Sequence, residues 1–67
     1  MIMRQVILIP DLEDGGYTAE VPSLPGCISE GDTAEEALTN VQDTIQGYID
    51  LLNQDGLPVP LNHDIRN

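Results

Sequence analysis

EVPSLPGCISEGDTAEEALTNVQDTIQGYIDLL, residues Glu20 to Leu52, decides how this chain folds. Its sharpest signal is Thr33-Ala34-Glu35-Glu36, a capping box. The Thr33 hydroxyl is placed to take the Glu36 backbone N–H while the Glu36 side chain reaches back. Glu35 and Glu36 also suit the positive end of a helix dipole. Downstream, Ala34, Ala37, Leu38, Val41, Ile45, Tyr48, Ile49 and Leu52 fall within an arc of about 120° at 100° per residue. Glu35, Asp43, Gln46 and Asp50 lie opposite. The spacing predicts one long amphipathic helix, stopped by Gly56 with Pro58 beyond it.

Upstream of the helix the period changes. Cys27 to Gly31 reads as a short strand behind the tight Pro22-Ser-Leu-Pro-Gly26 connection, with Ile28 its clearest inward residue. Tyr17 to Val21 alternates, placing Tyr17, Ala19 and Val21 on one side and Thr18 and Glu20 on the other, a half-buried strand. Pro10 to Gly16 combines a proline stop, side-chain acceptors and two glycines, and reads as a turn. Before it, Met3 to Ile9 is a β-branched run ended by Pro10. The expected fold is α+β: a three-stranded antiparallel meander, then one long helix, with Pro58 to Leu61 as a short edge strand where proline is tolerated. The final residues, 62–67, are expected to fray.

The first strand is apolar at both parities, Val6 and Leu8 on one face, Ile7 and Ile9 on the other. Such a strand wants both faces of its sheet covered, and one helix covers one face. The bare face calls for a partner, most simply a second copy. Size points the same way. At 67 residues the chain is a single domain, 1–67, with an ordered core over about 3–56. A core this small is marginal alone, and disulfides, metals or oligomerisation are the usual remedies. One cysteine, Cys27, cannot make an internal disulfide, and one cysteine with one histidine cannot build a structural zinc site. A homo-dimer or larger assembly through the sheet is therefore expected.

Twelve Asp and Glu against two Arg give a net charge of −10. Nucleic-acid binding needs cations against phosphate, and an anionic membrane surface would repel the chain, so neither is expected. A basic protein partner fits the charge. No signal-peptide core and no run of 18 apolar residues is seen, which predicts a cytoplasmic protein.

Chemistry is sparse. His63 lies in the tail and Cys27 enters a strand as a small apolar residue, so no nucleophile stands beside a base. The acids of the first turn place no glycine or closing Glu where an EF-hand needs them. Gly15-Gly16 joins two strands rather than opening a helix, and no Lys follows, so it is no phosphate loop. Asp11, Glu20 and Glu30 or Asp32 could converge on Mg²⁺ as in a minimal nuclease. Such an enzyme would need basic residues to hold its substrate, and these are missing. No enzyme activity, cofactor or metal is expected.

Gly16-Tyr17, Glu20-Val21-Pro22, Leu24-Pro25-Gly26-Cys27, Gly31-Asp32-Thr33 and Glu35-Glu36-Ala37-Leu38, in this order and spacing, resemble the HicB antitoxin family, also described as HicB-like or UPF0150 proteins. The resemblance implies a β-β-β-α-β, truncated RNase H-like domain without the nuclease's catalytic set. It implies an antitoxin of a type II toxin–antitoxin pair, which neutralises a small basic HicA-like mRNA interferase by covering its active surface. It also implies dimers or tetramers through this domain. Many family members add a C-terminal DNA-binding module; this chain ends soon after the helix, a short form expected to lack one and with it operator binding. The motif residues have structural duties: Gly26 in the turn, Thr33 and Glu36 in the cap, Ala37 and Leu38 in packing. Contacts to a basic partner are expected instead at the acids around that scaffold, Asp11, Glu13, Asp14, Glu20 and Glu30. A degenerate metal-dependent nuclease and an orphan self-associating module are the alternative readings.

Overall fold

Two turns and a helix cap set the architecture of the computed structural model, which describes residues 4–60. β1 (Ile7–Pro10), β2 (Tyr17–Glu20) and β3 (Ile28–Gly31) form one sheet in the order β1-β2-β3, and α1 (Ala34–Gln54) follows. Both strand pairs are antiparallel, with Leu8 opposite Ala19 opposite Ser29 at the centre of the sheet. This is the expected meander and helix. The strands are shorter than their apolar runs because pairing, not hydrophobicity, ends them: β1 lacks Val6 but reaches Pro10.

The β1–β2 connection is closed by Asp11. Its backbone N–H donates to the Gly16 carbonyl and its carbonyl accepts from Gly15, both at 3.0 Å. The β2–β3 connection holds two successive turns, Leu24 N–H to Val21 carbonyl at 3.0 Å and Cys27 N–H to Leu24 carbonyl at 2.9 Å. Pro25 and Gly26, the latter at φ +83°, occupy the centre of the second, which is type II chemistry. Between the two turns Leu24 drops into the core, fully buried.

The helix starts as its sequence dictates. Thr33 Oγ1 accepts from the Glu36 N–H at 3.0 Å, but the Glu36 carboxylate returns to the Asp32 N–H at 2.6 Å rather than to Thr33 itself. At the other end Gly56, at φ +70°, donates to Asn53, and Leu57 donates to Leu52 at 2.9 Å. That is a Schellman stop, at the glycine the sequence marks.

Ala19, Val21, Leu24, Cys27, Ala37 and Val41 make the buried core, with Val6, Leu8, Tyr17, Ile45 and Tyr48 packed around it. Three expectations need correction. Ile28 is not inward: it is 49% exposed, and Cys27 takes the inward position. The Val21 N–H bonds the Cys27 carbonyl at 3.1 Å, so the ladder carries the Cys27 parity to the helix side. Leu38, placed in the core by its helical angle, is 36% exposed at the margin of the buried stripe, because a narrow sheet seats only the Ala37–Val41 ridge. The edge strand at Pro58 to Leu61 does not form over 58–60, and Leu61 lies outside the described residues. Instead Arg4 spans the gap, its guanidinium donating to the Pro60 carbonyl at 2.7 Å and to Ser23 Oγ at 2.8 Å. The tail expected to fray, 62–67, also lies outside the described residues.

One contact sets how closely the helix lies on the sheet. Gly31 runs against the helix's first turn, where a Cβ would lie 2.7 Å from the Glu36 carbonyl carbon and 2.8 Å from Ala37 Cα. Only glycine lets these backbones meet. Polar bonds tie the rest of the helix down: Asn40 Nδ2 to the Glu30 carbonyl at 2.7 Å, the Ser29 and Thr44 hydroxyls to each other, and Tyr48 Oη to the Pro25 carbonyl at 2.9 Å.

Candidate interaction face

With the helix on one side of the sheet, strand alternation decides what stands on the other. Ile7, Glu20 and Ile28 are directly paired across the three strands, and so are Ile9, Thr18 and Glu30. Directly paired residues share a face, so these two rows form the side opposite Leu8, Ala19 and Ser29. Ile7 is 44% exposed and Ile9 42%, and with Ile28 they give this side an apolar character edged by two carboxylates. The bare face inferred from the two-sided apolar pattern of the first strand is present.

The second row runs into a cleft of about 540 Å³ at the turn end of the sheet. Thr18 and Glu30 belong to its wall, with Tyr17, Gly15 and Gly31 between them and the rim acids Asp11, Asp14, Asp32 and Glu36. The cleft lies where the register pairs Tyr17 with Gly31, at the end of the sheet beside the helix start. Two of its acids have structural duties. Glu36 caps the helix, and Asp11 Oδ1 accepts from the Glu13 and Asp14 N–H groups at 3.0 and 3.1 Å. Those two donors hold the Asp11 carboxyl below the usual range.

The five acids anticipated as partner contacts are thus divided among three places. Asp11, Asp14 and Glu30 come together at the cleft; Glu20 stands on the bare face in the first row; Glu13 sits on the exposed turn. Asp32 and Glu36 join the cleft, although the sequence marks Glu36 only as a helix-start residue and Asp32 only as a possible metal ligand. No period reveals this grouping, because it depends on the β2–β3 register.

The metal arrangement considered from the sequence does not assemble. Glu20 lies at the Ile7–Ile28 end of β2, whereas Asp11 and Asp32 flank the Tyr17–Gly31 end. Among the described residues, no three His, Cys, Asp or Glu side chains are grouped to hold an ion. Cys27 is buried against the core, and burial pushes its thiol up, with Arg4 pulling weakly the other way. A buried thiol disposed to keep its proton is a packing residue rather than a nucleophile. No helix among the described residues is long and apolar enough to cross a membrane.

Comparison with known proteins bears on the partner. The family model for the HicB-like antitoxin of bacterial toxin–antitoxin systems matches residues 5–67. A UPF0150 protein of Thermoplasma acidophilum is 40% identical over 58 residues, covering 87% of this chain and 84% of the relative. A UPF0150 protein of Synechocystis is 44% identical over 59 residues, covering 88% and 75%. Antitoxin HicB 1 of Photorhabdus laumondii is 32% identical over 59 residues, which are 88% of this chain but 38% of that longer protein.

Proposed function

Because the chain belongs to the HicB-like antitoxin family, we propose that it is the antitoxin of a toxin–antitoxin pair and that it binds a small basic mRNA interferase of HicA type, covering its active surface in the cytoplasm. The observation that carries this reading is the family match across residues 5–67. Charge supports it. At −10 the chain steers a cationic partner toward itself and repels nucleic acid, so it would act on the toxin and not on the toxin's RNA substrate. The described residues have a binding protein's disposition, with acids held on turns and at a sheet edge.

Self-association through the sheet is the second part of the proposal. The fully buried core is small for a domain of 67 residues, which leaves stabilisation to be gained from a further surface, and the sheet's edge strands β1 and β3 offer backbone for pairing with another copy. Sedimentation at micromolar concentration should show a dimer or larger species, and a monomer would refute this part alone.

The antitoxin role is tested by purifying the small basic protein that this reading expects to be encoded beside this chain, and the lack of one would count against the role. Mixing the two should give a stable complex and stop the partner's RNA cleavage. A complex that leaves cleavage unchanged, or no complex at all, rejects the role.

A further inference from the structure

We propose that the bare face of the sheet, together with the acidic cleft that borders it, is the surface on which the basic toxin docks, and that a second copy of the chain does not occupy it. The inference rests on the antitoxin reading and adds the contact surface to it.

The first argument is area. Three strands of four residues make a face of roughly 13 by 14 Å at ordinary strand rise and spacing. A stable specific interface removes about 800 Å² from each partner. The face supplies well under half of that, so an occupant must reach beyond it. Thr18 and Glu30 show where the surface continues, since they belong both to the second row of the face and to the wall of the cleft.

The second argument is charge. Following that continuation, the occupant meets Glu30 and then Asp11, Asp14, Asp32 and Glu36. A second copy would bring the same carboxylates into the same space. Against them the described residues offer one arginine, Arg4, and its guanidinium is committed to Ser23 and Pro60. Like charges brought together at an interface select against that pairing. A partner with an apolar patch beside a cluster of Lys or Arg meets neither problem. Its patch covers Ile7, Ile9 and Ile28 while its cations enter the cleft. Self-association is then left to the strand edges, of which β1 is the more available: on β3 the Glu30 carbonyl already accepts from Asn40.

The test pairs two face variants with a charge-matched control. Ile28→Ser with Glu30→Lys alters the face and its junction with the cleft. Ile7→Ser with Glu20→Lys alters the other row from a different strand, in case the first variant folds poorly. Asp43→Lys changes the net charge equally but lies on the outer side of α1, where Asp43 is exposed. Each is titrated with the small basic protein encoded beside this chain, after circular dichroism has established folding. Either folded face variant should weaken binding roughly 30-fold or more, as truncation of a central contact does, and the control less than about threefold. Wild-type affinity should also fall steeply with added salt. Face variants that bind as tightly as wild type overturn the docking surface and leave the antitoxin role standing. Failure of the unaltered chain to bind rejects both. Conversion of a self-associated wild type to monomer by the face variants assigns the face to a second copy and also overturns the proposal.

Discussion

Two glycine-to-alanine substitutions in this chain should change stability in opposite directions. At Gly31 the added methyl would collide with the Ala37 amide nitrogen and lie 2.7 and 2.8 Å from two further backbone atoms of the helix's first turn. Ordinary carbon contacts lie about 3.5–4.0 Å apart, and no rotamer can relieve a clash with backbone. The helix start must lift off β3, disturbing the Glu36–Asp32 bond and the seat of Ala37 and Val41. Overpacking of this kind costs about 1–3 kcal/mol, and the upper end applies because every partner atom is backbone. The reduced entropy of the unfolded chain returns about 0.4–1 kcal/mol. The net loss should be about 2 kcal/mol, a large share of the roughly 3–10 kcal/mol that a chain of this length holds. Gly47 lies inside α1, where a Cβ would meet nothing within 4 Å. There alanine should stabilise by about 0.5–1 kcal/mol through helix propensity alone. Urea unfolding followed by circular dichroism, at one fixed protein concentration, gives both values. Equal signs, or a Gly31→Ala within about 0.5 kcal/mol of wild type, would refute the claim that backbone approach at Gly31 sets the helix on the sheet.

Leu24→Ala should cost about 2–5 kcal/mol, as for a fully buried leucine, whereas Leu38→Ala should cost no more than about 1; the reverse order in thermal melts would mean the buried stripe of α1 is misassigned. Thr33→Ala should lose about 1 kcal/mol and Thr33→Ser almost nothing, since the hydroxyl is what receives the Glu36 N–H. Equal losses would show that the methyl group, not the cap, matters. Asp11 has a depressed folded value, so its contribution to turn stability is complete above the ordinary aspartate value of about 4. It is lost as pH falls below that, through the folded value. A carbon-13 titration of its carboxyl should therefore have its midpoint below that of an unfolded-chain aspartate, and a midpoint at or above it contradicts the turn geometry.

The elements that were legible in the sequence owe their form to local chemistry. The capping box, the Gly56 stop and the Pro25-Gly26 turn each satisfy backbone groups within a few residues, so pattern and outcome coincide. What the sequence hid depends on partners far along the chain. Leu38 has a core-like helical angle, but the width of the sheet, not the helix, decides how broad the buried stripe becomes. Gly31 looks like an ordinary strand end before Asp32-Thr33, and only the approach of Ala37 reveals why a side chain is excluded. The segment at 58–60 has edge-strand composition, yet its described contact is the Arg4 guanidinium on the Pro60 carbonyl rather than strand pairing.

The misplaced Ile28 shows why the fold was easier to read than the site. Cys27 and Ile28 are adjacent, both apolar, and each fits the start of a strand, so composition does not decide which points inward. Register does: pairing Ser29 with Ala19 and Glu30 with Thr18 sends Cys27 to the helix and Ile28 to the bare side. A slip of one residue would exchange the faces of the whole of β3. Ile28 would leave the bare row for the core, and Glu30 would turn toward the helix. The secondary structure would survive that slip almost unchanged, but the apolar rows and their junction with the acidic cleft would not. The proposed docking surface therefore depends on the Pro22–Gly26 connection, whose two turns fix that register. Lengthening this connection by one residue should preserve helicity while abolishing partner binding, and retention of binding would separate the surface from the register that builds it.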